Sequence, residues 1–324
     1  MVNKHIDFVV RFMQWFNGKS VLITGGAGFI GFHLCKALSN FSSNLTIYDN
    51  LSSGKFENVT GIQNAHFVKA DILDQKTLFS TPKADLIYHL AAQVVVPYSM
   101  DNPVDDFETN TRGTLYVLEK ARKDDAKLVF ASSAAVYGNP SKLPTPEEYG
   151  HHPFSFYGLS KAVAEDYCNM YHEKYGLDVT ILRFANVYGS RCHGVINDFL
   201  DKIKRNPYKL EIIGTGEQSR DFIHVSDVVD ALLLSAVKEK AKGQTYNVGF
   251  GKTTRIVDLA KMILQIMGLT EKTVITITGS SWSGDIDIIW FDISKAKQEL
   301  RWTPKIRVED HLRMLIIERG LLNG

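Results

Sequence analysis

A glycine-rich turn between an apolar strand and an amphipathic helix constrains this chain more than any other stretch. Residues Thr24-Gly25-Gly26-Ala27-Gly28-Phe29-Ile30-Gly31 have the spacing G-x-x-G-x-x-G. The run Ser20–Thr24 suits a buried parallel strand, and apolar residues recur at helical intervals from Phe29 to Phe41. A pyrophosphate binds the backbone N–H groups at such a helix N-terminus, where a Cβ would hold it away. The turn therefore predicts a dinucleotide site, although a plain strand-to-helix connection can have the same glycines.

An acidic residue follows the turn at the distance that a dinucleotide site requires. Asp49 ends the next predicted strand, Leu45–Tyr48, roughly twenty residues beyond the glycines, where it can accept hydrogen bonds from ribose hydroxyls. The next residues are short and polar rather than basic, which favours NAD over NADP. Asp49 can also be an ordinary strand-end turn residue. After the third predicted strand, Asp71 is placed to meet the adenine amino group or to cap a turn.

The charge and cysteine content argue against several classes of function. The 324 residues include 37 Lys and Arg and 36 Asp and Glu. The chain therefore has too little net positive charge to attract nucleic acid or an anionic membrane. The three cysteines form no CxxC motif, which predicts free thiols in a reducing, cytoplasmic compartment and gives no sign of a metal site. No apolar run of about eighteen residues is present, so no integral membrane segment is predicted.

Residues 1–18 precede the first predicted strand as an N-terminal extension. Apolar residues lie at helical spacing from Ile6 to Phe16, while Lys4, Asp7 and Arg11 interrupt any signal-peptide core. We expect a helix packed on the protein's own surface. An interfacial membrane helix or a dimer contact is the alternative.

Short apolar strands alternate with helical stretches from Val21 to about Ala185. This alternation predicts an α/β fold with a Rossmann-type doubly wound parallel sheet, and the chain length predicts either a second, smaller C-terminal α/β lobe or one large α/β domain with an appended piece. The predicted strands are Val21–Thr24, Leu45–Tyr48, His66–Lys69, Leu86–His89, Lys127–Ser132 and Val179–Phe184.

Small residues follow the fourth predicted strand, in His89-Leu90-Ala91-Ala92-Gln93. They leave room for a cofactor, which a large side chain there would block. Asn110 lies within the helix predicted for Asp105–Arg122, where helix propensity does not favour asparagine. It is a candidate for a polar site, and an exposed position explains it equally well.

Two hydroxyl-bearing motifs supply candidate chemistry. Ser133 ends the fifth strand, and Tyr157 and Lys161 are four residues apart, so one helix face presents both. A phenol with an ordinary pKa of about 10 is a poor base, but a nearby ammonium and a nicotinamide cation both favour the phenolate. Tyr157 can then exchange a proton with a substrate hydroxyl, and Ser133 can hydrogen-bond the same oxygen. Because this tyrosine–lysine spacing is common on helices, the argument depends on the turn and the serine-bearing strand as well.

Eight short segments occur in order along the chain between Thr24 and Gly249, and the resemblance that they carry covers roughly Lys19 to Leu321. They are TGGAGFIG, YDNLSSG, HLAAQ, SSAAVYG, YGLSK, RFANVYG, RDFIHVSDVVDA and YNVG. This set resembles the extended short-chain dehydrogenase/reductase superfamily and its NAD-dependent epimerase/dehydratase family, nearest to the UDP-glucose (UDP-galactose) 4-epimerases. The resemblance implies NAD as cofactor and a nucleotide-sugar substrate, most simply a UDP-hexose. It also implies a homodimer formed by the helices at Asp105–Arg122 and Tyr157–Tyr175.

The resemblance also implies roles for individual residues. The catalytic set is Ser133, Tyr157 and Lys161, with Lys161 also holding the nicotinamide ribose. The positions implied around NAD are Gly25, Gly28, Phe29, Ile30, Asp49, Asn50, Ser53, Asp71, Ile72, Leu90, Ala91, Ala92, Gln93, Asn110, Tyr157, Lys161 and Phe184. The positions implied around the nucleotide sugar are Ser133, Asn186, Val195, Ile213, Arg220 and Asp285.

The same resemblance divides the chain. Residues 19–185 are the expected NAD-binding Rossmann domain, to which the chain can return from its C-terminal part, and residues 186–324 are mainly the nucleotide-sugar lobe. In that lobe helices are predicted for Val195–Ile203, Asp227–Lys238 and Val257–Met267, and strands for Leu210–Ile213 and Thr273–Ile277.

One position departs from the family pattern. Where the family commonly has Arg-Pro-Gly-Asp, this chain has Trp282-Ser283-Gly284-Asp285, so an expected diphosphate arginine is missing. Trp282 can cover a base or a sugar, or Arg191 or Lys252 can meet the phosphate. Ile289 falls where some epimerases keep a gate for N-acetylated sugars, and an isoleucine there does not decide whether such sugars fit.

The sequence as a whole predicts an NAD-dependent nucleoside-diphosphate-sugar 4-epimerase that oxidises C4 transiently and retains its cofactor. A 4-ketoreductase or a 4,6-dehydratase on the same fold is the alternative. Dehydratases usually have an Asp-Glu pair where this chain has Ala134-Ala135, which disfavours dehydration. A non-catalytic dinucleotide sensor is disfavoured because Ser133, Tyr157 and Lys161 are all intact.

Overall fold

The computed structural model describes residues 14–39, 41, 44–190, 192 and 194–322. The strands are β1 (Ser20–Thr24), β2 (Asn44–Asp49), β3 (Ala65–Lys69), β4 (Leu86–His89), β5 (Lys127–Ser133), β6 (Val179–Phe184), β7 (Asn186–Tyr188), β8 (Lys209–Ile212), β9 (Ser219–Arg220), β10 (Phe222–His224), β11 (Gln244–Val248), β12 (Thr254–Arg255) and β13 (Val274–Ile277). Seven of them form a parallel sheet in the order β11-β6-β5-β4-β1-β2-β3. The predicted Rossmann-type sheet is therefore confirmed.

Helices cover both faces of this sheet and build the C-terminal lobe. They are α1 (Phe29–Leu38), α2 (Phe56–Val59), α3 (Gln75–Ser80), α4 (Val96–Asp101), α5 (Pro103–Phe107), α6 (Gly113–Asp124), α7 (Phe156–Tyr175), α8 (Val195–Arg205), α9 (Val225–Val237), α10 (Ile256–Ile266) and α11 (Val308–Glu318). The single helix predicted for Asp105–Arg122 is divided. A π-helical turn, Glu108–Arg112, separates α5 from α6, and such turns are frequent at functional sites.

The strand order reverses beside β1, and this reversal positions the site. β1 pairs in parallel with both β2 and β4, so its two neighbours lead to opposite halves of the sheet. Ligands of such sheets bind in the crevice at the carboxyl ends of the strands on either side of the reversal. Gly25 and Leu90 follow β1 and β4 directly, and the Leu90 N–H donates to the Thr24 carbonyl at 3.0 Å.

The C-terminal part of the chain returns to the central sheet. β11 extends the sheet beyond β6, with Gln244 opposite Thr180 and Val248 opposite Phe184. Helix α9 also belongs to this half, since Val228 and Leu232 share a buried cluster with Ile23 of β1. The sequence patterns assign no strand to Gln244–Val248.

The remaining C-terminal elements form a separate small core. The strand pairs β7–β10, β8–β13 and β9–β12 lie outside the central sheet. Apolar faces of α8, α10 and α11 meet in one buried cluster that includes Phe199, Leu259 and Leu312. The helices and strands predicted there are present with shifted ends. β8 stops at Ile212, so Ile213 lies outside the strand and is exposed.

The N-terminal extension is described only at its end, because residues 1–13 lie outside the described residues. Residues 14–16 are helical, and Phe16 is fully buried with its ring stacked on Phe41 at 5.5 Å between centroids. Of the helices in the described residues, none has the length and apolar character needed to cross a membrane.

Candidate active site

The glycine turn packs directly on the backbone that follows β4. Gly25 has φ +70°, and a Cβ there would lie 2.6 Å from the Ala91 nitrogen. Gly28 is the N-cap of α1, and no side chain caps the first turn of that helix. Backbone N–H groups at the helix N-terminus are therefore available to an anion, as a bound pyrophosphate requires.

A buried histidine behind the turn connects three elements and was missed by sequence reasoning. His89 lies with Nδ1 2.8 Å from the Thr24 hydroxyl and Nε2 2.9 Å from the Thr114 hydroxyl. The Thr24 hydroxyl also accepts a hydrogen bond from the Ala91 N–H at 3.3 Å. Burial, with a smaller effect of the Lys161 charge, lowers the pKa of His89 to about 3. This neutral imidazole therefore connects β4 to β1 and α6 below the crevice.

Asp49 lies beside the turn, at the end of β2. Its carboxylate accepts hydrogen bonds from the backbone N–H groups of Ala27 at 2.9 Å and Leu51 at 2.8 Å. Each carboxylate oxygen can accept more than one hydrogen bond, so a ribose hydroxyl can still be accommodated. Asp49 thus shapes the turn itself, a contribution that its position in the sequence did not reveal.

The predicted adenine side forms a smaller network. Asn50 donates through Nδ2 to Asp71 Oδ2 at 2.7 Å, and Asp71 Oδ1 accepts from the Leu73 N–H at 2.8 Å. Ile72 is buried, whereas Ser53 is exposed. The Asp71 carboxylate therefore caps its own turn, as one of the two sequence interpretations proposed, and also holds Asn50.

Asn110 lies in the π-helical turn and is buried, so the exposed position allowed by the sequence is wrong. Its Oδ1 accepts from the Gln93 N–H at 2.9 Å, and its Nδ2 donates to the Gln93 carbonyl at 3.0 Å. The same Nδ2 lies 3.2 Å from the Ser160 hydroxyl. Asn110 therefore clamps the segment after β4 against α7, and its amide is occupied by protein partners.

The three candidate catalytic residues come together at the carboxyl ends of β5 and the start of α7. Ser133 is the last residue of β5 and lies opposite Phe184 of β6. The Ser155 hydroxyl caps α7 by accepting from the Gly158 N–H at 3.1 Å, which places Tyr157 in its first turn. Lys161 follows one turn later on the same face.

The electrostatics of this triad are set mainly by burial. Burial raises the pKa of Tyr157, the nearby Ser133 hydroxyl lowers it, and the Asp106 carboxylate raises it. Burial also lowers the pKa of Lys161 to about 8, and its ammonium lies 4.5 Å from the centre of the Phe130 ring. The lowering of the tyrosine pKa that the sequence predicts is therefore not found, since the net effect of these protein groups raises it.

A buried ionic network one turn further along α7 also escaped sequence reasoning. Arg183 on β6 donates to Glu165 on α7, with Nη2 2.6 Å from Oε2, and Glu165 is fully buried. His151 lies 2.8 Å from the same carboxylate. Further partners are the hydroxyl of Ser132 on Glu165 and, on Arg183, the hydroxyl of Tyr137 and the carbonyl of Glu147. The network fixes α7, and therefore Tyr157 and Lys161, to the sheet.

The predicted substrate side is arranged differently. Arg220 on β9 is buried and paired with Asp285, its Nη2 2.6 Å from Oδ1. Its Nη1 donates to the carbonyls of Ser219 at 3.0 Å and Asp287 at 3.3 Å. The Arg220 guanidinium, which the sequence predicts to approach phosphate, is thus engaged by protein groups. One of these groups is the carboxylate of Asp285, which is itself a predicted substrate position.

The loop that carries Trp282 leans against the start of α7. Gly284 has φ +89°, and a Cβ there would lie 3.0 Å from Cβ of Ser155 and 3.5 Å from Val96. Trp282 itself is 43% exposed. Its indole is therefore available to a ligand near the Arg220–Asp285 pair.

The other predicted substrate positions lie along the edges of the C-terminal lobe. Asn186 opens β7, with its N–H donating to the Asp221 carbonyl at 2.9 Å, and Val195 opens α8. Both are half-buried, whereas Lys252 is exposed. Ile289 is half-buried and its N–H donates to the Ser219 carbonyl at 2.9 Å. Arg191 lies outside the described residues.

Comparison with known proteins finds similar proteins over nearly the whole chain. Residues 21–249 match the model of the NAD dependent epimerase/dehydratase family. The chain belongs to this family. The cofactor of this family is NAD, and the fit of the glycine turn described above agrees with it.

Individual relatives within the family differ in chemistry. The crystal structure of a UDP-glucose 4-epimerase with UDP-glucose from Thermotoga maritima has 36% identity and a TM-score of 0.86, covering 94% of this chain and 100% of that one. A UDP-N-acetylglucosamine 4-epimerase from Methanobrevibacter ruminantium, in complex with UDP-N-acetylmuramic acid, has 34% identity and a TM-score of 0.85, covering 94% and 99%. UDP-glucuronic acid decarboxylase 1 of Xenopus tropicalis is 33% identical over 319 residues, which are 95% of this chain and 73% of that protein. The chain is thus an enzyme of the nucleotide-sugar branch, similar to proteins with more than one sugar substrate.

Proposed function

We propose that this enzyme is a nucleoside-diphosphate-sugar 4-epimerase acting on UDP-glucose and UDP-galactose or a related UDP-sugar. The observation that carries the proposal is the convergence of Ser133, Tyr157 and Lys161 beside the glycine turn, at the carboxyl edge of the sheet. Similarity to two solved UDP-sugar 4-epimerases over 94% of the chain supports the substrate class.

The residues of the site have separate tasks in such a reaction. Bound NAD supplies a hydride acceptor and donor for C4 of the sugar. The Tyr157 phenolate removes the proton of the 4-hydroxyl and later returns it, while the Ser133 hydroxyl donates a hydrogen bond to the same oxygen. The Lys161 ammonium favours the phenolate and holds a ribose hydroxyl of the cofactor. Burial and the Asp106 carboxylate raise the pKa of Tyr157, so the Ser133 hydroxyl and the Lys161 ammonium have to favour the phenolate for the proton to be removed.

We place the cofactor along the crevice between the glycine turn and Gln93, with residues 19–185 and β11 as its domain. The nucleotide sugar is assigned to the lobe formed mainly by residues 186–324. For Arg220 to reach a diphosphate, its bond with Asp285 must open or be shared, since the distance between them is 2.6 Å. Asp285 would then be free to accept from a ribose hydroxyl.

Dehydration across C5 and C6 is less well supported. It requires an acid and a base beside the sugar, and the positions that would carry them are Ala134 and Ala135. Both alanines are buried in the turn after β5. Hydride return without loss of water therefore remains the better proposal.

The function is tested with purified full-length protein and a panel of UDP-sugars, including hexoses, hexuronic acids and N-acetylhexosamines. We expect interconversion at C4 without added NAD, with deuterium retained when 4-deuterated sugar is used. Net consumption of NAD(P)H would identify a ketoreductase, and release of carbon dioxide from the hexuronic acid would identify a decarboxylase. Inactivity on the whole panel would contradict the proposal.

A substitution tests the proposed base. Tyr157→Phe removes the phenol oxygen and is expected to lower turnover about 10²- to 10⁴-fold while bound NAD is retained. Tyr167→Phe, on the exposed side of the same helix, is the matched control and is expected to keep full turnover. Undiminished turnover in Tyr157→Phe would show that another group is the base.

We also propose a homodimer through α7 and the segment Asp105–Arg122, which includes the end of α5, the π-helical turn and most of α6. Helices α5 and α7 expose apolar side chains, with Val104 70% and Phe107 51% exposed on α5 and Leu159 47% and Met170 49% exposed on α7. Exposed apolar side chains on both elements support such an interface. Light scattering of Met170→Glu is expected to give the monomer mass where the wild type gives twice that mass.

The compartment proposed for the enzyme is the reducing cytoplasm. Cys35 and Cys168 are buried and Cys192 is half-buried, and all three are free thiols. Mass spectrometry of protein taken directly from cells is expected to find these thiols reduced.

A further inference from the structure

Ser99 is a fully buried serine on α4 that no step of the catalytic scheme above uses. Its Oγ accepts a hydrogen bond from the backbone N–H of Tyr157 at 3.0 Å. The same Oγ donates to the Val96 carbonyl, within its own helix, at 2.7 Å. One hydroxyl therefore ties α4 to the residue that carries the proposed base.

The Tyr157 N–H is one of the donors that a helix cannot satisfy internally. The first N–H groups of an α-helix have no carbonyl one turn before them. At the start of α7, the Ser155 hydroxyl accepts from the Gly158 N–H at 3.1 Å, whereas the Tyr157 N–H is accepted by a side chain of another helix. Because an N–H without an acceptor is costly away from water, the Ser99 hydroxyl fixes where the first turn of α7 lies.

The same turn packs on the segment that follows Ser133. A Cβ at Gly158 would lie 2.4 Å from the Ala135 carbonyl oxygen, so the two backbones are in direct contact. The Ser133 hydroxyl accepts from the Ala135 N–H at 3.2 Å. A shift at the start of α7 would therefore change the position of Tyr157 relative to Ser133.

Helix α4 is itself in contact with both sides of the crevice. Gln93 precedes the helix and donates through Nε2 to the carbonyl of Val95, its N-cap, at 3.2 Å. A Cβ at Gly284 would lie 3.5 Å from Val96, so the loop of Trp282 packs against α4. The helix that holds the Tyr157 backbone thus contacts the predicted cofactor segment and the predicted nucleotide-sugar loop.

We propose that Ser99 is a positioning residue that directs the Tyr157 phenol toward Ser133 by holding the backbone of Tyr157 in the first turn of α7. This role rests on the proposed function, in which Tyr157 is the base. Ser99 acts through the backbone and exchanges no proton with the sugar. The phenol depends on the placement, because the Ser133 hydroxyl lowers the pKa of Tyr157 only within hydrogen-bond distance.

The test is Ser99→Ala in the full-length enzyme. We expect kcat for epimerisation to fall about tenfold to a hundredfold, as for a misplaced reacting group, with KM and bound NAD unchanged. The acid limb of the kcat profile should move to higher pH, because Tyr157 loses the hydrogen bond from Ser133 that lowers its pKa. Ser235→Ala is the matched control, since Ser235 is also fully buried and donates to a carbonyl of its own helix, that of Leu232, at 2.8 Å. It is expected to keep the wild-type kcat and acid limb.

Two kinetic results would overturn the proposal. One is a wild-type kcat in Ser99→Ala, with or without a rise in KM. The other is a fall in kcat by the same factor at every pH, with the acid limb unmoved, because a purely structural defect lowers the rate in that way.

Hydrogen exchange tests the contact without turnover. Amide exchange of the full chain is followed by mass spectrometry with fragmentation that resolves single residues. In Ser99→Ala the Tyr157 amide is expected to exchange about threefold to tenfold faster than in the wild type, as loss of one hydrogen bond predicts. The Gly158 amide keeps its Ser155 acceptor and is the internal reference. Equal Tyr157 rates would overturn the proposal, whereas faster exchange in a protein without epimerase activity would support the contact and contradict the proposed function alone.

Discussion

Among the described residues, two buried arginine–carboxylate pairs both have 2.6 Å between nitrogen and oxygen, and they behave differently. In the Arg183–Glu165 pair, Ser132, His151 and Tyr137 satisfy the remaining donors and acceptors. Burial lowers the pKa of Arg183, but hydrogen bonds to Glu165 more than offset this and raise it. This pair fixes the helix that carries Tyr157.

The Arg220–Asp285 pair has the same separation, but here the attraction between the partners does not fully offset the effect of burial on the arginine pKa. Burial lowers the pKa of Arg220, and Asp285 offsets this only in part. Asp285 lies on the loop of the half-exposed Trp282, whereas Glu165 lies in the middle of a twenty-residue helix. The Arg183–Glu165 pair, which a full hydrogen-bond network surrounds, therefore stabilises the fold. The Arg220–Asp285 pair, which has one partner on a loop, can instead open to let a ligand replace one of its contacts.

The largest expected difference between the two pairs is in stability. Glu165→Gln leaves Arg183 buried without its counter-charge and is expected to lower the free energy of unfolding by about 3–5 kcal/mol. Asp285→Asn, the same change in the other pair, is expected to cost less than half as much because its loop can relax. Urea unfolding of both variants measures the difference, with Glu173→Gln, at an exposed position of α7, as control. Equal losses would show that the comparison is wrong.

Loss of folding stability in acid is expected to come from the Arg183–Glu165 pair. Burial raises the pKa of Glu165, but hydrogen bonds from His151 and Arg183 outweigh burial and lower it to about 2. Its stabilising contribution is therefore present above the unfolded pKa of 4.5 and lost as the pH falls from there toward 2. Unfolding free energies of wild type and Glu165→Gln should converge across this window and run parallel above pH 5. A constant difference down to pH 3 would contradict the assignment.

The rigidity of the cofactor side can be tested at the glycine turn. Gly25→Ala puts a Cβ 2.6 Å from the Ala91 nitrogen, at φ +70°. Gly61→Ala is a matched control, since Gly61 has φ +82° and nothing within 4 Å of its added Cβ. Both changes should cost about 1–2 kcal/mol of backbone strain, but only Gly25→Ala should also release NAD. Equal NAD occupancy in the two purified proteins would show that the turn adapts.

The smallest expected effect concerns the substrate side. Trp282→Arg adds a cation on the loop beside the Arg220–Asp285 pair and is expected to tighten UDP binding about threefold to tenfold, as one exposed charge-assisted contact does. Trp282→Ala should weaken binding if the indole covers the base or the sugar. Calorimetric titration with UDP at two salt concentrations separates these effects, since only the arginine contact is screened. Weaker binding in Trp282→Arg would assign the indole a contact that outweighs the added charge.

Local patterns in the sequence were sufficient for much of the fold. The strands of the central sheet from β1 to β6 were predicted within a residue or two, because buried parallel strands are short apolar runs. β11 was missed because Gln244–Val248 begins with polar residues and is far from its partner β6 in the chain. Its strand character depends on pairing with Thr180–Phe184, which no local pattern encodes.

The sequence by itself determined the family, the Rossmann-type sheet and NAD, since the glycine turn and the ordered motifs depend only on which residues follow one another. It also named Ser133, Tyr157 and Lys161. Only the tertiary structure decided which charges meet. Arg220 and Asp285 are 65 residues apart, and their interaction arises from the packing of elements distant in sequence. Ala91 and Asp49 likewise contact the glycine turn, so the shape of the turn depends on the fold as well as on its own residues.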